Sequence, residues 1–300
     1  MGNDKKINLI WQTDPDNLDV CVERDWILFL LETFPFKQYI DYKNGPGFSI
    51  VLPDSVIVVS DDGRNSDNII KYAKKFDKFN KKPILWHLSD EAYKAKIDNY
   101  YPLFSTVIRN GHAYGAINGP AKYDIIQTPI GFITHNQNKS NKIKLASKRK
   151  FKWVFMGAIK NDRMEMIHKL KKKKPQKIVI TKSFTKSISN FKQTNRLLQN
   201  TVFAPCPMGN SFQECSREYD ALEKGCIPLL MNYKRSSNYH TKILGEHPIP
   251  IFNSWEEVAE FIDSYKKVDE LQKEIFEWWT NYKNRLSYYI QNQINRTFLL

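Results

Sequence analysis

The stretch Thr201–Met231, TVFAPCPMGNSFQECSREYDALEKGCIPLLM, constrains the fold more than any other part of the chain. Thr201–Ala204 is an apolar strand pattern that runs into Pro205–Asn210, a Pro/Gly loop. A helical pattern over Glu214–Lys224 follows and stops at Gly225, a residue suited to a left-handed C-cap. Ile227–Met231 is the next strand. Strand, loop, helix and strand make a βαβ unit of a parallel sheet, and ligands of such sheets collect outside the carboxyl ends of the strands. A loop there that opens onto a helix N-terminus presents free N–H groups and the positive end of the helix dipole, which suits phosphate. Gly209, Asn210 and Ser211 lie in that loop, and Ser216 and Arg217 follow at the start of the helix. Arg217 carries a fork of donors for a diphosphate, and Asp220, one turn on, can accept from ribose hydroxyls.

The same alternation runs through the rest of the chain. Lys6–Gln12, Val56–Ser60, Pro83–Leu88, Thr106–Arg109 and Ile125–Ile130 are short apolar strand patterns, with amphipathic segments at Val20–Thr33 and Asp67–Phe79. Asn136–Lys150 is polar and free of acids and aromatics, and reads as a linker. A second alternation then begins with strand Phe151–Met156, closed by Gly157. Helix Asp162–Lys172 is expected to start on Asp162 as N-cap, and strand Lys177–Thr181 follows. Helix Ile188–Gln199, strand Ile249–Phe252 and helix Trp255–Tyr265 continue the pattern, and the tail from Val268 is helical. The expected division is an α/β domain over 1–135, a linker over 136–150, a second α/β domain over 151–266 and C-terminal helices over 267–300 that pack back across the domains.

Charge is divided unevenly between these halves. Residues 1–135 carry 16 Lys and Arg against 17 Asp and Glu, whereas 136–300 carry 30 against 15. The basic half suits an anionic ligand, either phosphate or nucleic acid. A nucleic-acid module would interleave aromatics with Lys and Arg on exposed strands, but the aromatics here sit inside apolar patterns, and no helix-turn-helix, zinc-finger or RNP-like motif is present. Nucleic acid is therefore not the expected partner. The cysteines Cys21, Cys206, Cys215 and Cys226 show no C-x-x-C spacing and read as reduced thiols. No apolar run reaches the roughly 20 residues of a membrane span, and a cytoplasmic protein is expected. No His/Cys/carboxylate cluster suggests a metal, and Asp14-Pro15-Asp16 is better explained as an early turn than as a D-x-D metal motif.

The segment from Cys206 to Pro228, C-P-M-G-N-S-F-x-x-x-S-R-x-Y-D-A-L-x-x-G-C-I-P, resembles the hallmark of exostosin-like glycosyltransferases. Phe155-Met156-Gly157 followed by Arg163 is similar to that family's F-x-G-x-x-x-x-x-R, in which the glycine turn and the arginine border the donor phosphates. Leu85–Glu91 (LWHLSDE), Arg109-Asn110 and Thr128–Phe132 (TPIGF) resemble a succession found in xylosyltransferase-like members, including ribitol-phosphate xylosyltransferases and glycosyltransferases of large algal viruses. Two departures stand out: Asp220 takes the place of a glutamate, and Glu218 that of an aromatic.

The resemblance implies a GT-B fold, two Rossmann-like domains facing across a cleft, and inverting transfer of a sugar from a UDP-sugar to a glycan acceptor. UDP-xylose as donor and a β linkage are implied with it, and because the sequence offers no metal-ligand cluster, neither a metal nor a tightly bound cofactor is expected. The implied donor residues are Gly157, Arg163, Thr181, Gly209, Asn210, Ser211, Ser216, Arg217 and Asp220. An inverting transfer needs a base for the acceptor hydroxyl. Asp90 is the first expectation, with Glu91 beside it and His87 as a candidate orienting partner. Asp14 and Asp61, each following a strand, are further candidates for the base. Asp14, Arg109 and Asn110 are the expected acceptor contacts.

Overall fold

The computed structural model describes residues 6–90, 94–111, 125–140, 142–183, 191–210, 213–233 and 238–298. They form two compact units: Met1–Pro129 together with Arg285–Leu300, and Ile130–Asn284.

The first unit is built on strands β1 (Ile7–Trp11), β2 (Phe36–Ile40), β3 (Ser55–Ser60), β4 (Ile84–Leu88), β5 (Thr106–Asn110) and β6 (Ile125–Thr128). All pair in parallel, in the order β2-β1-β3-β4-β5-β6. Strand β4 is buried along its whole length, as a central strand covered on both faces must be. Helices α1 (Arg24–Leu30), α2 (Ser66–Lys74) and the short α3 (Ile97–Tyr100) return the chain. Ile69, Tyr72 and Ala73 of α2, with Phe76 just beyond it, pack with Tyr100 on Ile57, Leu85 and Val107 of the sheet.

The second unit carries β7 (Phe151–Gly157), β8 (Gln176–Ile180), β9 (Thr201–Cys206), β10 (Ile227–Met231) and β11 (Ile251–Phe252). These are parallel in the order β11-β10-β9-β7-β8. Its helices are α4 (Arg163–Leu170), α5 (Phe191–Gln199), α6 (Ser216–Glu223), α7 (Tyr239–Leu244) and α8 (Trp255–Ser264). A single helix, α9 (Val268–Phe298), ends the described chain. Its first part belongs to the second unit, where Trp279 Nε1 donates to Glu223 Oε1 at 2.7 Å and Lys283 pairs with the same carboxylate. Its last part belongs to the first unit, where Ser287 Oγ and Gln291 Nε2 donate to the Leu30 carbonyl. Among the described residues no helix is long and apolar enough to cross a membrane.

The units do not follow the expected division. The chain passes from one to the other at Pro129–Ile130, and 136–150 is packed into the second unit instead of linking two domains. Arg149 is buried there and donates to the carbonyls of Leu198, Thr201 and Lys224, while Gln272 Oε1 accepts from the Ala146 N–H. The polar composition of the segment serves to satisfy strand and helix ends. Strand β2 and helix α7 go beyond the expected elements. In FKQYI only Phe36 and Tyr39 are half-buried, so an edge strand leaves no apolar run to read.

Candidate active site

In the second unit the carboxyl ends of β7 and β9 lie side by side. Strand β7 stops at Gly157, where a Cβ would come 2.9 Å from Arg217 Nη2 and 3.9 Å from Arg163 Nη1. Glycine is what lets two guanidinium groups close on one turn. Arg217 Nη2 donates to the Met156 carbonyl at 3.1 Å, and its guanidinium stacks 4.8 Å from the centre of the Phe155 ring. Arg163 donates to the carbonyls of Ala158 and Met208, and its buried Nε has no partner among the described residues. Burial and the neighbouring Arg217 both lower the Arg163 pKa. No carboxylate forms an ion pair with either arginine among the described residues. Two half-buried cations held together without an anion are a receptor for one.

Helix α6 begins at Ser216, two residues later than expected. Glu218 Oε1 accepts the Cys215 N–H at 3.0 Å, closing the first turn, and its Oε2 lies 3.2 Å from His240 Nε2. Burial opposes protonation of His240, yet Glu218 beside it raises its pKa. Asp220 points inward: Oδ1 accepts from the Ile133 N–H at 3.0 Å and the group is 4% exposed. Burial pushes its pKa up to about 7, against hydrogen bonds from Asn136 and Ile133. The structure therefore engages Asp220 with the main chain at Ile133 and buries it. Glu214, absent from the expected set, is buried. It accepts from the Ile130 N–H and from the hydroxyls of Tyr219 and Tyr239, and burial, with Glu218 nearby, raises its pKa to about 7. Thr181 follows β8 and donates its N–H to the Gly157 carbonyl at 3.0 Å, so it borders the same turn.

Asp162 occupies the residue before α4, but its side chain does not cap that helix. Its Oδ1 accepts the Met208 N–H at 3.1 Å, and its Oδ2 accepts from the Tyr233 hydroxyl and from Trp255 Nε1. The expected cap is instead a tie to the Pro/Gly loop. Nothing in the sequence set Met208, Tyr233 or Trp255 beside Asp162.

In the first unit Asp90, His87 and Arg109, among the expected base and acceptor residues, form one buried network. Arg109 Nη2 lies 3.1 Å from Asp90 Oδ2, with the two side chains 3% and 2% exposed. Asp90 Oδ1 accepts from the N–H groups of Lys94 and Ala95, so both carboxylate oxygens are engaged. His87 meets Tyr101 and Arg109 through Nδ1 and the Asp61 carbonyl through Nε2, and reaches Asp90 only by way of Arg109. Burial, then Arg109, lowers the His87 pKa to about 3, so the ring is neutral. Asp61 accepts from the N–H groups of Gly63 and Asn65 and from Ser66 and Tyr100. The Asn110 amide oxygen takes Trp86 Nε1 and Thr128 Oγ1, each at 2.9 Å. Asp14, past the end of β1, is half-buried, and among the described residues only its side-chain Oδ1 is engaged, by the Asp16 N–H. Glu91 and Ser211 lie outside the described residues. Among the described residues no group of three or more His, Cys, Asp or Glu could hold a metal.

Two parallel α/β units and a long C-terminal helix make this a GT-B fold, the class shared with the solved structures it matches. Anabaena HepE, solved in complex with UDP, is 11% identical with a TM-score of 0.54, and the match covers 97% of this chain and 100% of that one. An E. coli structure described as trehalose-6-phosphate bound with UDP-2-fluoro glucose is 7% identical with a TM-score of 0.51, covering 96% of this chain and 98% of that one. No curated protein matches the sequence. The model of the RXYLT1 C-terminal domain matches residues 132–299, more than half of the chain, and the chain belongs to that family of xylosyltransferase-like glycosyltransferases.

Proposed function

We propose that the chain is an inverting glycosyltransferase that takes a sugar from a UDP-sugar and passes it to a glycan hydroxyl. The observation that carries this reading is the pair Arg163 and Arg217, closed on Gly157 with no carboxylate between them. A diphosphate placed there meets two forks of donors at the carboxyl end of β7, and the charge that develops on the departing UDP is met by groups already in position. HepE and the E. coli structure are bound to UDP and a UDP-sugar, which supports the same class of donor. The resemblance to xylosyltransferase-like sequences and the family match favour UDP-xylose and a β linkage.

The acceptor hydroxyl needs a proton acceptor, and the geometry favours Asp14 over Asp90. Both oxygens of Asp90 and of Asp61 are taken by internal donors, whereas Asp14 keeps Oδ2 without one among the described residues. The test of the whole reading is a donor screen scored by UDP release and by protection from thermal unfolding. Release of UDP from UDP-xylose in the presence of a glycan acceptor is expected. Protection by no UDP-sugar would sink the reading, and protection by UDP without turnover would leave a silent nucleotide-binding relative.

A further inference from the structure

We infer that Asn161 and Asp162 are positioning residues, which turn the peptides of the Pro207–Asn210 loop so that their N–H groups face the donor phosphates. The inference rests on the diphosphate reading of this site. Four consecutive residues hold the loop. Lys160 Nζ donates to Asn210 Oδ1 at 3.2 Å, Asn161 Nδ2 to the Gly209 carbonyl at 2.6 Å, and Arg163 Nη2 to the Met208 carbonyl at 3.2 Å. Asn161 Nδ2 also lies 3.5 Å from the Asn210 carbonyl. Asp162, with Tyr233, takes the Met208 N–H.

The consequence follows from the planar trans peptide, in which the C=O of one residue is antiparallel to the N–H of the next. Since the carbonyls of Met208 and Gly209 are drawn toward the 160–163 turn, the N–H groups of Gly209 and Asn210 point away from it. Neither N–H meets an acceptor among the described residues. Successive N–H groups turned to one side form an anion-binding concavity. Met208 N–H is the exception, because Asp162 and the Tyr233 hydroxyl consume it. Asp162 thereby fixes where the concavity starts, and its own charge is spent on Met208, Tyr233 and Trp255. Asn161 sits at φ 48°, a left-handed conformation that asparagine tolerates and glycine adopts freely.

Asn161→Gly separates the amide from the backbone, since it keeps the left-handed turn and deletes only the donor to the loop carbonyls. Calorimetry with UDP, uridine and inorganic pyrophosphate, beside a thermal melt, reads the outcome. The expectation is a loss of about tenfold in UDP affinity, the scale of one hydrogen bond, with uridine affinity and melting temperature unchanged. Tyr233→Phe, which removes the hydroxyl that ties both the Met208 N–H and Asp162 Oδ2 and so loosens the peptides that follow, is expected to weaken UDP and pyrophosphate together while sparing uridine. Unchanged UDP affinity in both variants overturns the inference, and so does parallel loss of UDP and uridine, which is the mark of a general structural role. If the wild-type chain binds pyrophosphate but not UDP, the donor reading falls and the inference is judged on pyrophosphate alone. Binding of neither overturns both.

Discussion

Asp90→Asn decides between a catalytic carboxylate and a structural one. The substitution keeps the shape of the side chain but removes the charge opposite Arg109, whose guanidinium is 3% exposed. Arg109 would then lose its ion pair with Asp90 while keeping its contacts with the neutral His87 ring and the Tyr101 hydroxyl. The amide can still accept from one side but offers a donor to the other, so the main-chain bonds from Lys94 and Ala95 or the contact with Arg109 must weaken. Breaking a buried pair from one side costs about 3–5 kcal/mol, a large part of the roughly 5–15 kcal/mol that holds a domain together. For a domain of this size that is on the order of 10 °C in melting temperature. Asp14→Asn removes a half-exposed carboxylate with a single internal bond and is expected to leave the melt within about 1 °C. If Asp14 is the base, its loss lowers turnover by a factor of about 100 to 10,000. Thermal melts and turnover per folded molecule, taken well below the transition, test both variants. Asp90→Asn with a wild-type melt and a turnover loss of that size would refute the reasoning and return Asp90 to the role of base.

Replacing Arg163 or Arg217 by alanine should weaken UDP binding by about 1.5–3 kcal/mol each, measured by calorimetry, and unchanged affinity in both would remove the phosphate assignment. Turnover should persist in excess EDTA, because guanidinium and loop N–H groups supply the stabilisation of the leaving diphosphate; loss on chelation that manganese or magnesium restores would contradict this. Stability should respond to pH with opposite signs in the two units. His87 is neutral in the fold down to about pH 3, whereas in the unfolded chain it takes a proton near 6.5, so its contribution is present above 6.5 and is lost as pH falls toward 3. Glu214 holds its proton to about pH 7, whereas the unfolded chain releases it near 4.5, so stability from this group is lost as pH rises between those values. Glu214→Gln should flatten that slope in denaturant melts, by on the order of 2 kcal/mol between pH 5 and 7, and an unaltered slope would count against a strained buried carboxyl.

What could be read in the sequence divides along a physical line. Strands such as Val56–Ser60 and the β9–loop–α6–β10 unit were legible because buried parallel strands are continuous apolar runs, and because Gly225 and the prolines punctuate them. Arg163 and Arg217 were legible through motif order, and the structure brings them to the same glycine. Helical spacing put Arg217 and Asp220 on one face of α6, and that much is geometry. It could not tell that the helix is buried from Glu218 to Glu223, so that only its first turn is open. Asp90 shows the same limit. A carboxylate after a buried strand is equally suited to catalysis or to neutralising Arg109, and only the partner distances separate the two.

The charge of α6 illustrates why residue counts mislead at such a site. SREYDALE holds one arginine and three acids, which as a string would repel a diphosphate. Each acid is internally engaged. Glu218 closes the first turn and faces His240, Asp220 takes the Ile133 N–H, and Glu223 takes Lys283, Trp279 Nε1 and the Asn138 N–H. Burial also favours the protonated form of Asp220, so part of its formal charge is absent near neutral pH. Arg217 stands outside this arrangement, on the first turn, where the helix dipole adds to its own charge. Folding has sorted one helix into a buried acidic part that fastens the unit and an open cationic end that faces the turn at Gly157, and an anion at that end experiences the second without the first.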